Sequence, residues 1–404
     1  MKPTTKQKIT FTLTALTLTL SLYGCGSSSS TPSPANRGAF AQSIAKGVVP
    51  KQLISTGIQQ IEPALSLDVP FTPAYDVVQS NMNYYTADTN DTLVLVSSRI
   101  YRPSSNDAFP VIVFNHGTLF EKEFAPSIAG HDIGLVFSSL GYIVIVPDYI
   151  GYGTTASTQH PYLHADSLAN TIIDSIRAAK SHFSSSSIHT NGQWFMTGYS
   201  EGGLATMATL KKVEEEHSDE ITFTAVAPNA GPYDLYGTTQ PFFDDPNQTY
   251  IRPEYVPLMF FAYDNIYNLE TDMGHGILQP EIKALENLFD GTHSGESISD
   301  QLPNTPTGMF TAETITAMQS SASNALKTAL EANTVYQWVP QTPIRMHHCL
   351  ADADVPYQNA VTALNYFNAQ NAPQVELVDP NPTADHFTGY YPIQISTMQW
   401  FETF

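Results

Sequence analysis

The sequence predicts an α/β fold, a mostly parallel central sheet flanked by helices and interrupted by one long insertion. Three observations predict it. From about residue 93 to 227, short continuous apolar runs alternate with stretches of helical periodicity, the pattern of strands buried on both faces. From about Gly231 to Gln341 that rhythm gives way to a stretch rich in aromatic residues and proline, after which strands resume. At Gly198-Tyr199-Ser200-Glu201-Gly202 an apolar run passes directly into a helical pattern through a glycine-flanked serine.

The chain of 404 residues begins with an address. Lys2, Lys6 and Lys8 precede an uncharged stretch from Ile9 to Tyr23, short of the roughly 20 apolar residues that span a bilayer. A basic start before a short apolar run reads as an export signal, residues 1–24. Leu22-Tyr23-Gly24-Cys25 resembles a bacterial lipobox, which implies a lipid on Cys25, although Tyr23 departs from the small or branched residue usual there. Gly26 is not the aspartate that retains many lipoproteins at the inner membrane, so the expected place is the outer membrane, on its periplasmic or cell-surface face. Residues 25–36, rich in serine and proline, read as a tether, and residues 37–404 as the folded domain.

Composition narrows the function. A hydrophobic share of 42% can bury a large core. With 38 acidic against 17 basic residues, the net charge of -21 repels phosphate backbones, so no nucleic-acid partner is expected. Removal of residues 1–24 takes three lysines and no acid, moving the charge to -24 and favouring neutral substrates. Two cysteines exclude a disulfide framework or a cysteine-built zinc site. Cys349, with no partner, reads as a small buried strand residue.

After an N-terminal arm (37–70), Leu93–Tyr101, Pro110–Phe114 and Tyr142–Val146 read as strands. Ile128–Leu140 reads as a helix closed by Gly141, and Leu163–Phe183 as a longer one with Leu168, Ile172, Ile173 and Ile176 on one face. Gln193–Thr197 is a strand, Gly202–His217 a helix and Phe223–Ala227 a strand. Within 231–341, Pro280–Phe289 and Ala312–Ala332 have helical patterns; Ile344–Leu350 and Val375–Val378 are the last strands.

The G-x-S-x-G match is weak alone, but its strand–turn–helix setting is what a nucleophile elbow needs. A serine on so tight a turn requires small neighbours two residues away, and the turn lifts its hydroxyl above the sheet edge. Such a serine needs a base that is itself oriented by an acid, in the chain order Ser, Asp/Glu, His. Ile344–Leu350 runs into Asp352 and Asp354, and Val375–Val378 is followed by Asp385-His386-Phe387. Ser200, Asp352 and His386 are therefore the candidate catalytic residues, with Asp354 the alternative acid. The oxyanion donors expected are the N–H of Glu201 and, after Asn115-His116-Gly117, that of Thr118 or else Leu119. The Glu201 side chain would put a carboxylate beside the site or bond to the insertion. A metal site on His347 and His348 lacks further ligands, and neither metal nor organic cofactor is called for.

These segments resemble an α/β-hydrolase of the secretory-lipase branch, typified by fungal lipase A-type enzymes and bacterial relatives. The resemblance rests on Asn115–Thr118, Val146–Gly153, the helix from His160-Pro161-Tyr162, Gly198–Gly203, Ala230–Leu235, Asp352–Tyr357 with Asn359-Ala360, and His386-Phe387-Thr388. It implies hydrolysis of carboxyl esters, small-molecule or lipid, and a helical cap between the sixth and seventh sheet strands, where residues 231–341 fall. Glu201 departs from the small residue of the fungal members, and their disulfides have no counterpart. The aromatic cap would line an acyl pocket, or its rings simply pack the cap helices. Two other readings fit the same residues: a serine peptidase of this fold, with no propeller-like repeat to favour it, and a surface-displayed binding lipoprotein without activity.

Overall fold

The computed structural model describes residues 36–65 and 69–404. The export signal, Cys25 and all of the tether except Asn36 lie outside the described residues. Nine strands form one sheet: β1 (Phe40–Val49), β2 (Val77–Ala87), β3 (Leu93–Pro103), β4 (Phe109–Asn115), β5 (Ile143–Pro147), β6 (Thr190–Tyr199), β7 (Ala225–Asn229), β8 (Ile344–His347) and β9 (Val375–Val378). Their order is β1-β2-β3-β5-β4-β6-β7-β8-β9. The first three and β5 pair antiparallel, and from β5 to β9 every pairing is parallel. This is the α/β-hydrolase fold.

The apolar runs are buried on both faces. Along β4, Val111 and Val113 join one core layer while Ile112 and Phe114 join the other. The helices Ala165–Ser185 and Glu201–Glu216 cover the first face. Asp132–Ser139 and the final helix Tyr390–Phe401 cover the second.

Several elements differ from the expectation. The arm holds β1 and the helix Lys51–Leu65; β1 is exposed along most of its length, so its sequence has no burial pattern to betray a strand. β2 was also unmarked: its Gln, Ser, Asn and Thr residues interrupt the apolar alternation. Ile128–Leu140 is broken at Gly130, whose φ of 85° ends a first turn before the helix Asp132–Ser139 begins. Ala312–Ala332 divides into Ala312–Gln319 and Ala325–Ala332 across a serine-rich joint. β8 stops at His347, so Cys349 is buried but two residues beyond the strand. Burial pushes its thiol up to about 11, which leaves it unreactive.

Counted from β2, the cap lies between the sixth and seventh strands; the extra edge strand β1 makes these β7 and β8. The cap leaves the C-terminal end of β7 where Gly231 packs on Gly203. It returns beside the far end of the helix Glu201–Glu216, where Glu214 accepts from Trp338 Nε1 (3.0 Å) and from the Thr342 N–H (2.8 Å). Phe243 and Phe260 pack on Phe310 at 4.8 and 4.9 Å between ring centroids, so these rings fill the interior of the cap. No helix among the described residues is long and apolar enough to cross a membrane.

Asn229 knits the sheet centre together: its Oδ1 accepts from His347 Nδ1 (2.9 Å) and its Nδ2 donates to Thr197 Oγ (3.0 Å). Burial pushes His347 down to about 3. The unfolded chain protonates it near pH 6.5, so the folded state's advantage is complete above that pH and falls as pH drops toward 3, by about 1 kcal/mol per unit. Asp148, raised by burial to about 6, acts in the opposite sense between about pH 6 and 4. It does so in wild type and variant alike. Urea unfolding of His347→Gln between pH 7 and 4.5 is expected to show a shallower acid loss of stability than wild type; parallel slopes refute this.

Candidate active site

Chain order reverses between β4 and β6: the chain runs from β4 outward to β5, then returns to the other side of β4. Loops leaving the C-terminal ends of strands part at such a switch point and open a crevice. The loops there are 116–119, after β4, and the turn at Ser200, after β6. Those after β8 and β9 bring in residues 348–357 and 379–388 from the same edge.

Ser200 has φ 60° and ψ -122°, a strained conformation for a residue with a side chain. Its N–H donates to the Asn229 carbonyl at 3.0 Å, fixing the turn to β7. Glycines are required around it: a Cβ on Gly198 would collide with the Gly202 carbonyl, and one on Gly202 with the Asn115 carbonyl. The helix starts at Glu201, so the Glu201 N–H has no partner within the helix.

His386 joins Ser200 to Asp352. Its Nε2 lies 2.9 Å from Ser200 Oγ and its Nδ1 2.6 Å from Asp352 Oδ2. Nδ1–H thus donates to the carboxylate, and Nε2 is left to accept the serine hydroxyl. Tyr199 OH donates to the His386 carbonyl at 2.6 Å and holds the loop down. Asp352 Oδ1 accepts from the N–H groups of Asp354 (3.0 Å) and Val355 (2.9 Å). Burial alone would raise the Asp352 carboxyl, but hydrogen bonds from His348 and His386 outweigh it and hold the group well below the usual range. Asp354 points elsewhere: it pairs with Arg252 of the cap at 3.3 Å, and burial raises its carboxyl.

His348, which the sequence offers only as half of a metal pair with His347, is completely buried beside Asp352. Its Nε2 lies 2.8 Å from the Val355 carbonyl, which can only accept, so Nε2 carries the hydrogen. The same N–H faces Asp352 Oδ2 at 3.2 Å. The signal was its place just before the acid loop, but a histidine at a strand end is not distinctive.

The 116–119 loop crosses above the serine: a Cβ on Gly117 would sit 3.2 Å from the Tyr199 carbonyl and 3.5 Å from Ser200 Cβ. The loop is pinned by Tyr149 OH donating to the His116 carbonyl (3.1 Å) and Tyr152 OH to the Leu119 carbonyl (2.6 Å). The hydroxyls of Tyr162 and Thr118 are 3.0 Å apart. The Glu201 side chain bonds to His160, its Oε1 2.6 Å from Nε2. Among the other histidines, His164 caps the helix Ala165–Ser185 and His293 is a half-buried cap residue beside Asp290. Among the described residues no three His, Cys, Asp or Glu side chains converge as a metal needs.

With this geometry in view, the chain can be set beside known proteins. The secretory lipase family profile matches residues 125–239. No curated protein matches the sequence. Among solved structures, a putative hydrolase from Legionella pneumophila superposes with a TM-score of 0.78 at 24% identity, covering 90% of this chain and 98% of that one. The rice cell wall degrading esterase LipA from Xanthomonas oryzae gives 0.78 at 25% identity, covering 91% and 99%. Candida antarctica lipase A gives 0.61 at 16% identity, covering 87% and 78%. In sequence over residues 125–239, and in fold over most of its length, the chain is similar to the secretory lipases and lipase A-like α/β-hydrolases.

Proposed function

We propose that the protein is an exported serine carboxyl-ester hydrolase that works through an acyl-enzyme. The observation that carries this reading is the continuous line Ser200–His386–Asp352, in which every ring nitrogen has one consistent role. Ser200 Oγ attacks the ester carbonyl carbon as its proton passes to His386 Nε2. The carbonyl π electrons move onto oxygen, and the Glu201 and Thr118 N–H groups stabilise that oxyanion. Collapse of the intermediate expels the alcohol, which takes the proton from His386. Water, deprotonated by His386, then attacks the acyl group and frees the acid and Ser200. Asp352 keeps His386 in the tautomer that can accept.

The test is a hydrolysis panel of p-nitrophenyl esters from acetyl to palmitoyl plus one peptide, together with labelling by a fluorophosphonate probe. Ester turnover with the adduct on Ser200 is expected. Faster peptide cleavage, or no labelling at all, overturns the reading.

His348 acts in this scheme as a second donor to Asp352. His348→Asn is expected to lower kcat about 10-fold with little change in KM, since a hydrogen bond to a charged group contributes about 1.5–3 kcal/mol. Steady-state kinetics check it; a change confined to KM contradicts it.

A further inference from the structure

Glu201 is an awkward residue for the place it holds. Its side chain is buried, it follows the proposed nucleophile directly, and its N–H is a proposed oxyanion donor. A lone carboxylate there would oppose the negative charge that forms on the substrate. His160 bonds to it, and its charge also acts on His116, Tyr149, Tyr152, Tyr162 and the cap's Tyr255. Of these, His160 alone reaches the carboxylate, at 2.6 Å, with the two side chains 5% and 0% exposed. Glu201 Oε2 is buried with no hydrogen-bond partner among the described residues.

The protons of this pair can be counted. His160 Nδ1 lies 2.7 Å from the Ile150 carbonyl, which only accepts, so Nδ1 carries a hydrogen. The 2.6 Å approach of Nε2 to Oε1 then requires one more proton between them. Placed on nitrogen it makes an ion pair; placed on oxygen it makes two neutral groups. The net charge is zero in both cases.

The strand exit at Ile150-Gly151 makes this contact possible. Gly151 has φ 94°, and a Cβ there would lie 2.5 Å from the His160 Cα. Two residues further on, the Tyr162 hydroxyl meets that of Thr118. The segment His160-Pro161-Tyr162 therefore touches both residues that supply the proposed oxyanion donors, one through each aromatic side chain.

We propose that His160 is a positioning residue of the oxyanion hole: it holds the one proton that keeps Glu201 from acting as a bare anion beside the substrate oxyanion, and it fixes the helix start to the strap carrying Tyr162. This rests on the reading of Ser200 as nucleophile.

The experiment uses the full chain, with kcat and KM measured on one p-nitrophenyl ester and fluorophosphonate labelling run in parallel. His160→Gln is expected to lower kcat on the order of 10-fold or more, with KM within about threefold, because the uncompensated charge acts on the transition state. His160→Gln combined with Glu201→Gln is expected to regain at least about fivefold in kcat over His160→Gln alone. A double variant as slow as the single one, or an unchanged kcat in His160→Gln, overturns the proposal. Should His160→Gln fail to fold, Glu201→Gln and Glu201→Asp are compared instead. Glutamine keeps the reach to His160 and loses the charge, whereas aspartate keeps the charge and loses the reach. Glutamine is expected to be faster by at least about fivefold, and aspartate equal or faster overturns the proposal. Failure of wild-type labelling would instead remove the nucleophile reading itself, a separate outcome.

Discussion

Ser200→Ala is expected to lower kcat/KM for ester hydrolysis by on the order of 10⁵-fold or more while leaving the folded protein intact. The size follows from what is lost. Without the hydroxyl there is no acyl-enzyme, and His386 has no proton to take; only substrate binding and the oxyanion donors continue to act. The fold should survive because the turn is held by its backbone: the Ser200 N–H bond to Asn229 and the contacts of Gly198 and Gly202 do not involve the hydroxyl. The positive φ at Ser200 persists with alanine, so the strain of about 1–3 kcal/mol is not relieved. Initial rates on a p-nitrophenyl ester, with a thermal melt of both proteins, check the claim. Ester hydrolysis that persists in the variant sinks the assignment of Ser200.

The second large effect separates two neighbouring carboxylates. Asp352→Asn is expected to cost about 10⁴-fold in kcat, and Asp354→Asn less than about 10-fold. Asp352 Oδ2 sits 2.6 Å from His386 Nδ1. An asparagine there can turn its amide N–H toward the ring, forcing the hydrogen onto Nε2 and presenting a donor to the serine. Asp352 Oδ1 already accepts two backbone N–H groups, which favours an asparagine that puts its carbonyl on them and its amide on the ring. Asp354 instead meets Arg252, whose guanidinium also lies 4.2 Å over the Phe387 ring. Losing that contact loosens the cap against the histidine loop without changing a tautomer. Side-by-side kinetics decide it: a larger loss in Asp354→Asn would move the acid to that position.

As candidates, Ser200 and Asp352 were legible because each follows a buried strand, β6 or β8, whereas His386 was found by chain order, in the loop well past the half-buried edge strand β9. The glycines at 198 and 202 add a steric requirement that few other turns share. The same logic failed at β1, an exposed edge strand, and at β2, which is mostly buried but carries Gln, Ser, Asn and Thr among its apolar residues and so shows no continuous apolar run. His160 and His348 were not legible for another reason. Their roles depend on which carbonyl lies near one ring nitrogen, Ile150 for His160 and Val355 for His348, and that is decided by how each irregular loop folds back on itself, which no periodicity marks. Glu201 shows the limit clearly: its position beside the serine was plain from the motif, but its partner lies 41 residues earlier in the chain.

The route of the cap has a bearing on how this protein can be shortened or rebuilt. Because the cap leaves the C-terminal end of β7 and comes back beside Glu214 to enter the parallel strand β8, it is also the crossover that two parallel neighbours need. A parallel crossover takes about a dozen residues at minimum, usually a helix. Trimming residues 231–341 to a tight turn would therefore unthread the sheet as well as uncover the crevice. A minimal lidless version has to keep a helix-length bridge and the Trp338–Thr342 landing on Glu214. Changes in the size of the cap therefore belong in its middle, because its two ends are bound to the architecture of the sheet.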